Sequence, residues 1–303
     1  MENTIRLDAQ RISDETRGMW LGLAGVAIFS LTLPFTRMAV AELDPVFVAF
    51  GRALVAAVLA GVWLWWNKTP LPRASQMGSL AVVAIGCIIG FPLLTSIALQ
   101  TVPASHGAVL VGILPLATAL FAALRGHERP SFGFWVSALL GSVIVVGFAL
   151  RQGGGVFHMA DLAILAAVAL AALGYAEGGR LARAMGGQQV ICWALLLSVP
   201  LLLPVVLWST WSHSAAIADA GMHAWLGFAY VSLFSMFIGF FFWYKGLALG
   251  GIARVGQVQL LQPFMTLLGA AVLLGEALEL ANILFALVII AVVAVGRRMA
   301  IRR

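Results

Sequence analysis

The chain has 303 residues, of which 62% are hydrophobic and only 10% are charged. Soluble domains carry about 25% charged residues, so this composition excludes an ordinary water-soluble fold. The formal net charge of +6 would suit a nucleic-acid-binding protein, but basic residues in an apolar chain more often mark membrane topology. The composition therefore indicates an integral membrane protein.

Ten apolar runs follow a polar N-terminal segment of residues 1–17, and each is long enough to cross a bilayer as a helix. We predict spans at residues 18–41, 45–66, 77–100, 103–124, 131–150, 160–181, 188–209, 223–249, 252–274 and 279–296. The connections are short and rich in turn formers, which leaves no room for a catalytic domain outside the membrane. A basic tail of residues 297–303 follows the last span. The sequence thus predicts an all-α integral membrane fold with ten transmembrane helices.

Basic residues are distributed unevenly between the two predicted sides of the membrane. If the N-terminus is cytoplasmic, fifteen of the eighteen lysines and arginines lie on the inner side, and only Arg37, Arg52 and Arg151 lie toward the outer side. Because cytoplasmic loops are enriched in Lys and Arg, both termini are predicted to be cytoplasmic. Topology then explains the charge without nucleic acid as a partner. Arg37 and Arg52 fall near Glu42 and Asp44, and we expect a surface salt-bridge cluster there.

An internal repeat with a shift of 148 residues is the most specific feature of the sequence. Six of fourteen positions match, since Pro115, Thr118, Leu120, Ala122, Ala123 and Glu128 superpose on Pro263, Thr266, Leu268, Ala270, Ala271 and Glu276. The shift spans five helices, an odd number, so the second copy must be inverted in the bilayer. We therefore predict two inverted five-helix repeats, residues 18–150 and 151–296, that exchange conformations around a central site.

The segments 113–118 (ILPLAT) and 261–266 (LQPFMT), each followed by a glutamate at the helix exit, resemble the twin EamA domains of the drug/metabolite transporter superfamily. This resemblance covers nearly the whole chain. It implies ten helices in an inverted arrangement, alternating access, and export of small metabolites across a bacterial inner membrane. It implies a small-molecule substrate and membrane lipids as partners, and no cofactor. A monomer is compatible with it, and an aromatic amino acid exporter is the subtype we expect.

A polar stripe is predicted in the ninth span, where Gln259, Gln262 and Thr266 fall within about 60° of one another on an α-helix and Gln257 lies opposite. Amides in hydrocarbon are costly unless they face protein or a cavity, so we expect donors and acceptors for a zwitterionic substrate. The alternative is that these glutamines bond neighbouring helices. The matching positions of the fourth span are mostly apolar, which predicts an amphipathic site.

The eighth span contains the aromatic run FFFWYK at residues 240–245. We expect Trp243 and Tyr244 to line a cavity and stack on the substrate, with the phenylalanines as packing residues. In the sixth span, Glu177 with Tyr175 is the candidate for proton coupling. The alternative is that Glu177 pairs with Arg180 at i+3 near the inner interface. Asp161, at the outer start of the same span, is expected to be interfacial.

His106, near the outer end of the fourth span, corresponds in the repeat to Arg254 near the inner end of the ninth. Each is predicted either to meet a substrate carboxylate at a cavity mouth or to anchor its helix at the interface. Pro34, Pro115 and Pro263 lie within spans, where proline removes a backbone hydrogen bond, and we expect them to be hinges. The predicted substrate-binding set is Thr32, Thr95, His106, Tyr175, Trp243, Tyr244, Gln259 and Gln262.

Two other functions remain open. One is proton-coupled efflux of cationic drugs, which would resemble the function of the small multidrug transporters. Those transporters rely on a glutamate in the first helix, whereas residues 19–40 of this chain contain no carboxylate. A membrane-embedded lipid-modifying enzyme would need convergent nucleophiles, acids or metal ligands. The five histidines are scattered, and Cys87 and Cys192 lie inside apolar runs without metal spacing. We therefore predict no catalytic residues and no metal site.

Overall fold

The computed structural model describes residues 2–125, 129–152, 158–298 and 301–302. Within these ranges the chain is helical, apart from short connections and a two-residue antiparallel pairing of Arg129–Pro130 with Ile301–Arg302. Glu128 of the sequence repeat lies outside the described residues, and the side chains of Arg254 and Gln257 are likewise not described.

Ten apolar helical segments account for the ten predicted spans. Seven are long and apolar enough to cross a membrane, namely Asp14–Val40, Pro45–Trp66, Ala74–Ala98, Ala104–Arg125, Met159–Met185, Gly187–Ser212 and Met222–Gly250. Two shorter apolar helices, Val258–Leu274 and Leu280–Val292, and the 21-residue helix Phe132–Gln152 supply the others. The protein is therefore an all-helical, multi-pass membrane protein. We number the spans first to tenth in chain order.

Five of the spans are interrupted helices. The first divides into Glu2–Ser30 and Thr32–Val40, and the fourth into Ala104–Val111 and Leu114–Arg125. The third contains a π-helical turn, Ala84–Gly90, between Ala74–Val83 and Phe91–Ala98, and the eighth contains another, Val231–Ile238, between Met222–Tyr230 and Gly239–Gly250. The ninth comprises Ile252–Val255, a 3₁₀ segment Gly256–Leu261 and Gln262–Leu274. The remaining helices are Phe132–Gln152, Met159–Met185, Gly187–Ser212, the short Ser214–Asp219, and Leu280–Arg298.

The interruptions repeat along the chain with the same spacing as the sequence. Shifting the π-helical turn Ala84–Gly90 by 148 positions gives residues 232–238, which fall within the second turn, Val231–Ile238. The break after Val111 in the fourth span maps onto the end of the 3₁₀ segment Gly256–Leu261 in the ninth. The third and eighth spans, and the fourth and ninth, thus share departures from α-helical geometry of a kind common at functional sites, whereas the first span is broken and its equivalent, the sixth, is one helix.

Helix packing follows the two-fold pattern expected of inverted halves. The first span packs on the eighth and the sixth on the third, while the second packs on the seventh and the fifth on the tenth. The fourth span packs on the sixth and the ninth on the first, and the fourth and ninth also meet. Exchanging each span with the one five places along the chain maps each of these pairs onto another observed pair or onto itself. The two repeats therefore interlock rather than lie side by side.

Glycines allow the closest approaches between the halves. A Cβ placed on Gly18 of the first span would lie 2.5 Å from the backbone nitrogen of Gly250 in the eighth, and one on Gly246 would lie 2.9 Å from the carbonyl oxygen of Gly18. Between the third and sixth spans, a Cβ on Gly86 would lie 3.1 Å from the Cα of Gly174. Small residues let helix backbones pack tightly where the hydrophobic effect between helices is absent.

The two ends of the bundle differ in charge. One end, which we call the acidic end, holds Glu42, Asp44, Asp161 and Glu276, and the other, the basic end, holds Arg125, Arg180 and the strand pair that includes Arg129 and Arg302. Polar contacts join residues within one end, as where Ser209 donates to the Asp44 carboxylate at 2.6 Å. This segregation matches the alternating helix directions predicted from the sequence.

Candidate functional site

A small cavity lies where the two halves meet. It has a volume of about 20 Å³ and is lined by residues of the first, second, third, sixth, eighth and ninth spans. That volume holds about one water molecule, so the cavity is too small for a metabolite. Both repeats supply lining residues, as expected for a central transport site.

The polar part of the lining brings three predicted residues together. Thr32, Tyr175 and Gln262, from three different spans, all line the cavity. The Thr32 and Ser235 hydroxyl oxygens are 2.8 Å apart, which forms a hydrogen bond between the first and eighth spans. Ser235 is a cavity residue that the sequence reasoning missed. It lies in the π-helical turn Val231–Ile238, which no simple periodicity indicates.

Arg52 is the other polar residue in the lining, and its prediction was wrong. Instead of joining a surface cluster, it is 2% exposed, and its Nε and Nη1 have no hydrogen-bond partner. Glu42 and Asp44 are bonded elsewhere, to the Gly221 backbone and the Ser209 hydroxyl. The physical reason is the depth of Arg52 in its span. It lies seven residues beyond the start of helix Pro45–Trp66, which corresponds to about 10 Å of rise along the helix axis. That depth was the signal by which the sequence could have identified it.

Arg37 does lie at the acidic end, where it borders an open pocket that also includes Glu42 and Glu276. Its guanidinium donates to the backbone carbonyl of Leu99. Thus only Arg52, of the two arginines predicted to form one cluster, is drawn into the interior.

Aromatic rings form the apolar wall of the cavity. The Phe29 and Phe240 ring centroids are 5.0 Å apart in an edge-on arrangement, and Tyr175 lies 6.2 Å from Phe240 and 6.3 Å from Phe29. Phe91 completes the wall. The phenylalanine at 240, predicted as packing, is therefore a lining residue, so the cavity is amphipathic with rings contributed by both repeats.

Trp243 and Tyr244 stand one layer behind this wall. Trp243 is fully buried with its ring 5.4 Å from that of Tyr175. The Tyr244 hydroxyl donates to the Gly174 carbonyl at 3.2 Å and lies 3.5 Å from Cys87 Sγ. Both residues support the lining rather than border the cavity. Cys87 is itself part of the lining.

Two other predicted binding residues, Thr95 and Gln259, are buried, and neither lines the cavity. The Thr95 hydroxyl donates to the Phe91 carbonyl at 2.6 Å, which positions a lining residue. Gln259 is 1% exposed, and neither atom of its amide has a hydrogen-bond partner among the described residues. It lies in the 3₁₀ segment, where residues three apart are eclipsed, so it shares a face with Gln262 although the helix is not α there.

A second polar site lies at the acidic end of the fourth and sixth spans. The imidazole Nε2 of His106 and the Asp161 carboxylate are 2.6 Å apart, and Asp161 also accepts from the His158 backbone at 3.0 Å. Asp161 is 0% exposed although it lies in the first turn of its helix, and pairing with His106 allows its burial. The pair borders a vestibule of about 690 Å³.

Glu177 belongs to an ionic network at the basic end. Arg180 donates to its carboxylate at 2.5 Å, and Arg125 Nε of the fourth span is 3.9 Å away. Arg180 also donates to the Ser79 hydroxyl at 3.0 Å. The pairing with Arg180 that the sequence offered as an alternative is present, and the network ties the third, fourth and sixth spans together.

The three predicted hinge prolines follow helix interruptions. Pro115 and Pro263 are second residues of the helices Leu114–Arg125 and Gln262–Leu274, and Pro34 is the third residue of Thr32–Val40. The backbone N–H of a residue in the first turn of a helix has no partner within that helix. Proline, which lacks this N–H, therefore fits there without loss of a backbone hydrogen bond. All three helices contact the region around the cavity or the interface between halves.

Comparisons with known proteins agree with this architecture. The model of the EamA-like transporter family matches residues 16–150 and again residues 158–296. The chain is 50% identical over 288 residues to the uncharacterized transporter YdeK of Bacillus subtilis, covering 95% of this chain and 99% of that protein. It is 22% identical over 245 residues to an uncharacterized transporter of Archaeoglobus fulgidus, covering 80% and 84% of the two chains.

A solved crystal structure shares the fold, with a TM-score of 0.63 and 19% sequence identity over 93% of this chain and 96% of that one. The two family matches and the relative that shares half of its sequence with this chain agree on a transporter, and the solved structure has the same fold. The chain belongs to the EamA-like transporter family, within the drug/metabolite transporter superfamily.

Proposed function

We propose that this transporter exports small neutral metabolites, with aromatic and other hydrophobic amino acids as the best candidates, by alternating access between its inverted halves. The observation that carries the proposal is the central cavity, which both repeats line with hydroxyls, an amide and aromatic rings. Hydroxyl and amide groups match the polar part of an amino acid, and rings match an apolar side chain.

The small size of the cavity supports alternating access as the mode of transport. With room for about one water molecule, a volume of about 20 Å³ admits an amino acid only if the halves separate. Glycine-lined contacts between the first and eighth spans and between the third and sixth offer smooth surfaces for such movement. The pseudo-two-fold packing means that an opening toward one side has an equivalent opening toward the other, related by rotation about the pseudo-two-fold axis.

The orientation that we propose places the basic end in the cytoplasm of a bacterial inner membrane. It follows the positive-inside distribution of Lys and Arg. Efflux of cationic drugs is a poorer match to the site, because Arg52 lines the cavity and none of the described lining residues is acidic.

Release from preloaded proteoliposomes tests the proposal. Vesicles containing the purified protein are loaded with radiolabelled L-phenylalanine or with members of a broad panel of polar amino acids, sugars and cations, and loss of label is followed. We expect saturable release of aromatic and hydrophobic amino acids above that of protein-free vesicles. No substrate-specific release of any amino acid would overturn the proposal.

A pH gradient across the same vesicles tests proton coupling through Glu177. If this carboxylate carries the proton, Glu177→Gln removes the stimulation of release by the gradient and leaves exchange intact. If it serves only the ionic network with Arg180 and Arg125, the variant lowers thermal stability and the response to the gradient is unchanged.

A further inference from the structure

We propose that Arg52 binds the carboxylate of the transported substrate, so that the site selects amphipathic carboxylates, for which the carboxylate is required and an ammonium group is not. This inference rests on the proposed export function and names the chemistry that the central site recognises.

The first step is the condition of the Arg52 side chain. It is 2% exposed, lies within a membrane span and borders the central cavity, yet its Nε and Nη1 have no hydrogen-bond partner. A buried charge without a partner is costly, and ionisable groups within membrane spans usually pair or mark a substrate pathway. The acceptor that would complete this guanidinium is therefore expected to arrive in the cavity.

The second step is the charge of the rest of the lining. Among the described residues that border the cavity, Arg52 is the only basic one and none is acidic. A site with one positive charge suits a singly charged anion, and a planar guanidinium fork matches the two oxygens of a carboxylate. A phosphate group, with more charge and more oxygens, would call for several basic side chains converging on the cavity.

The third step concerns the ammonium group of an amino acid. Within the described lining an ammonium meets only neutral acceptors, which are the hydroxyls of Thr32, Ser235 and Tyr175 and the Gln262 amide, and no carboxylate. An ammonium that meets only neutral acceptors gains no opposite charge to offset its loss of water, whereas the carboxylate gains the Arg52 guanidinium. We therefore expect the ammonium to add little to binding, whereas the carboxylate dominates it.

The fourth step is the apolar part of the ligand. Phe29, Phe240 and Tyr175 form a continuous ring cluster on the cavity wall, with centroid separations of 5.0 to 6.3 Å. Such spacings allow offset or edge-to-face contact with an added ring. A carboxylate attached to an aromatic or bulky apolar group thus satisfies both parts of the site.

The test compares four compounds with the same ring and different polar groups. L-Phenylalanine and 3-phenylpropanoate carry a carboxylate, whereas phenethylamine and L-phenylalaninamide do not. Ligand-induced thermal stabilisation of the detergent-purified protein reports binding directly, because a ligand that binds only the folded state raises Tm. We expect both carboxylates to stabilise the wild-type protein and the amine and amide to bind about 10- to 100-fold more weakly.

Two variants of Arg52 and one control complete the test. Arg52→Gln should weaken phenylalanine binding about 10- to 100-fold, and Arg52→Lys, which keeps the charge, should retain part of it. Arg73→Gln makes the same change at an exposed position and should bind as the wild type does. The Tm without ligand distinguishes a substrate-binding role of Arg52 from a structural one. If Arg52 serves the substrate, its removal leaves Tm unchanged or raises it; if Arg52 stabilises the fold, its removal lowers Tm.

Each outcome bears on the proposal. Equal binding of phenethylamine and phenylalanine by the wild type, or unchanged phenylalanine binding and release by Arg52→Gln, would overturn the assignment while leaving amino acid export intact. Carboxylate-selective binding without any release from preloaded vesicles would support Arg52 as the anion site and overturn export instead.

Discussion

Replacing Gly18 by alanine should push the two halves apart and destabilise the protein. The new Cβ would lie 2.5 Å from the backbone nitrogen and 2.7 Å from the Cα of Gly250. Nonbonded carbon atoms are most stable at about 3.5–4.0 Å, so the first and eighth spans would have to separate by about 1 Å. Backbone atoms cannot rotate away as a side chain can. Overpacking of this kind typically costs about 1–3 kcal/mol.

The assay is the Tm of the detergent-purified protein, read together with release of labelled phenylalanine. At about 2–4 °C per kcal/mol, as for soluble domains of 150–250 residues, Gly18→Ala should lower Tm by about 2–12 °C. Gly78→Ala is the matched control, since a Cβ there meets no atom within 4 Å and alanine favours a helix by up to about 1 kcal/mol. An unchanged Tm for Gly18→Ala would refute the close approach on which the interface argument rests.

Three further predictions concern polar and backbone features. Asp161→Asn removes the charge from the bond with His106 and should cost about 1–3 kcal/mol, visible as a lower Tm; full stability would mean that the pair is not formed. Glu276→Ala leaves the Ala104 and Ser105 N–H groups without their carboxylate and should cost about 1 kcal/mol, whereas Glu276→Gln should be milder. Alanine at Pro115 or Pro263 should slow release while ligand-induced stabilisation is preserved; unaltered kinetics in both variants would sink the hinge hypothesis.

Helix number and symmetry were predictable because they depend on properties that a sequence carries directly. Apolar length determines which segments can span a bilayer, and an odd number of spans between repeats determines their inversion. The helix breaks were indicated by Pro115 and Pro263, but their form was not. The 3₁₀ segment before Gln262 and the π-helical turns in the third and eighth spans depart from the α-helical period that the sequence pattern assumes.

The candidate site was predicted in part. Thr32, Tyr175 and Gln262 do line one cavity, since a polar group in an apolar span must face protein or a cavity. Trp243 lies behind that lining. Its position was not predicted, because helical periodicity gives the face on which a residue lies and not its distance from the centre of the bundle. Arg52 was missed because a count of charges by side of the membrane treats a buried arginine as a flanking one.

The pairing of Asp161 with His106 was not predicted from the sequence. A carboxylate at the start of a helix is usually solvated, and only the fold brings His106 of the fourth span within 2.6 Å of it. Sequence separation of 55 residues hides that pair from any local pattern. By contrast, the Glu177–Arg180 pair lies one helical turn apart, and its spacing alone indicated it.

The central claim is that this chain is a carrier whose site faces one side of the membrane at a time, and counterflow tests it most directly. Proteoliposomes are loaded with unlabelled L-phenylalanine, and trace labelled L-phenylalanine is supplied outside. After a carrier releases unlabelled substrate outside, its site binds labelled substrate there and brings it into the vesicle. We therefore predict a transient, saturable accumulation of label inside the vesicles above equilibrium. Label that equilibrates steadily, at the same rate in loaded and unloaded vesicles, would contradict alternating access.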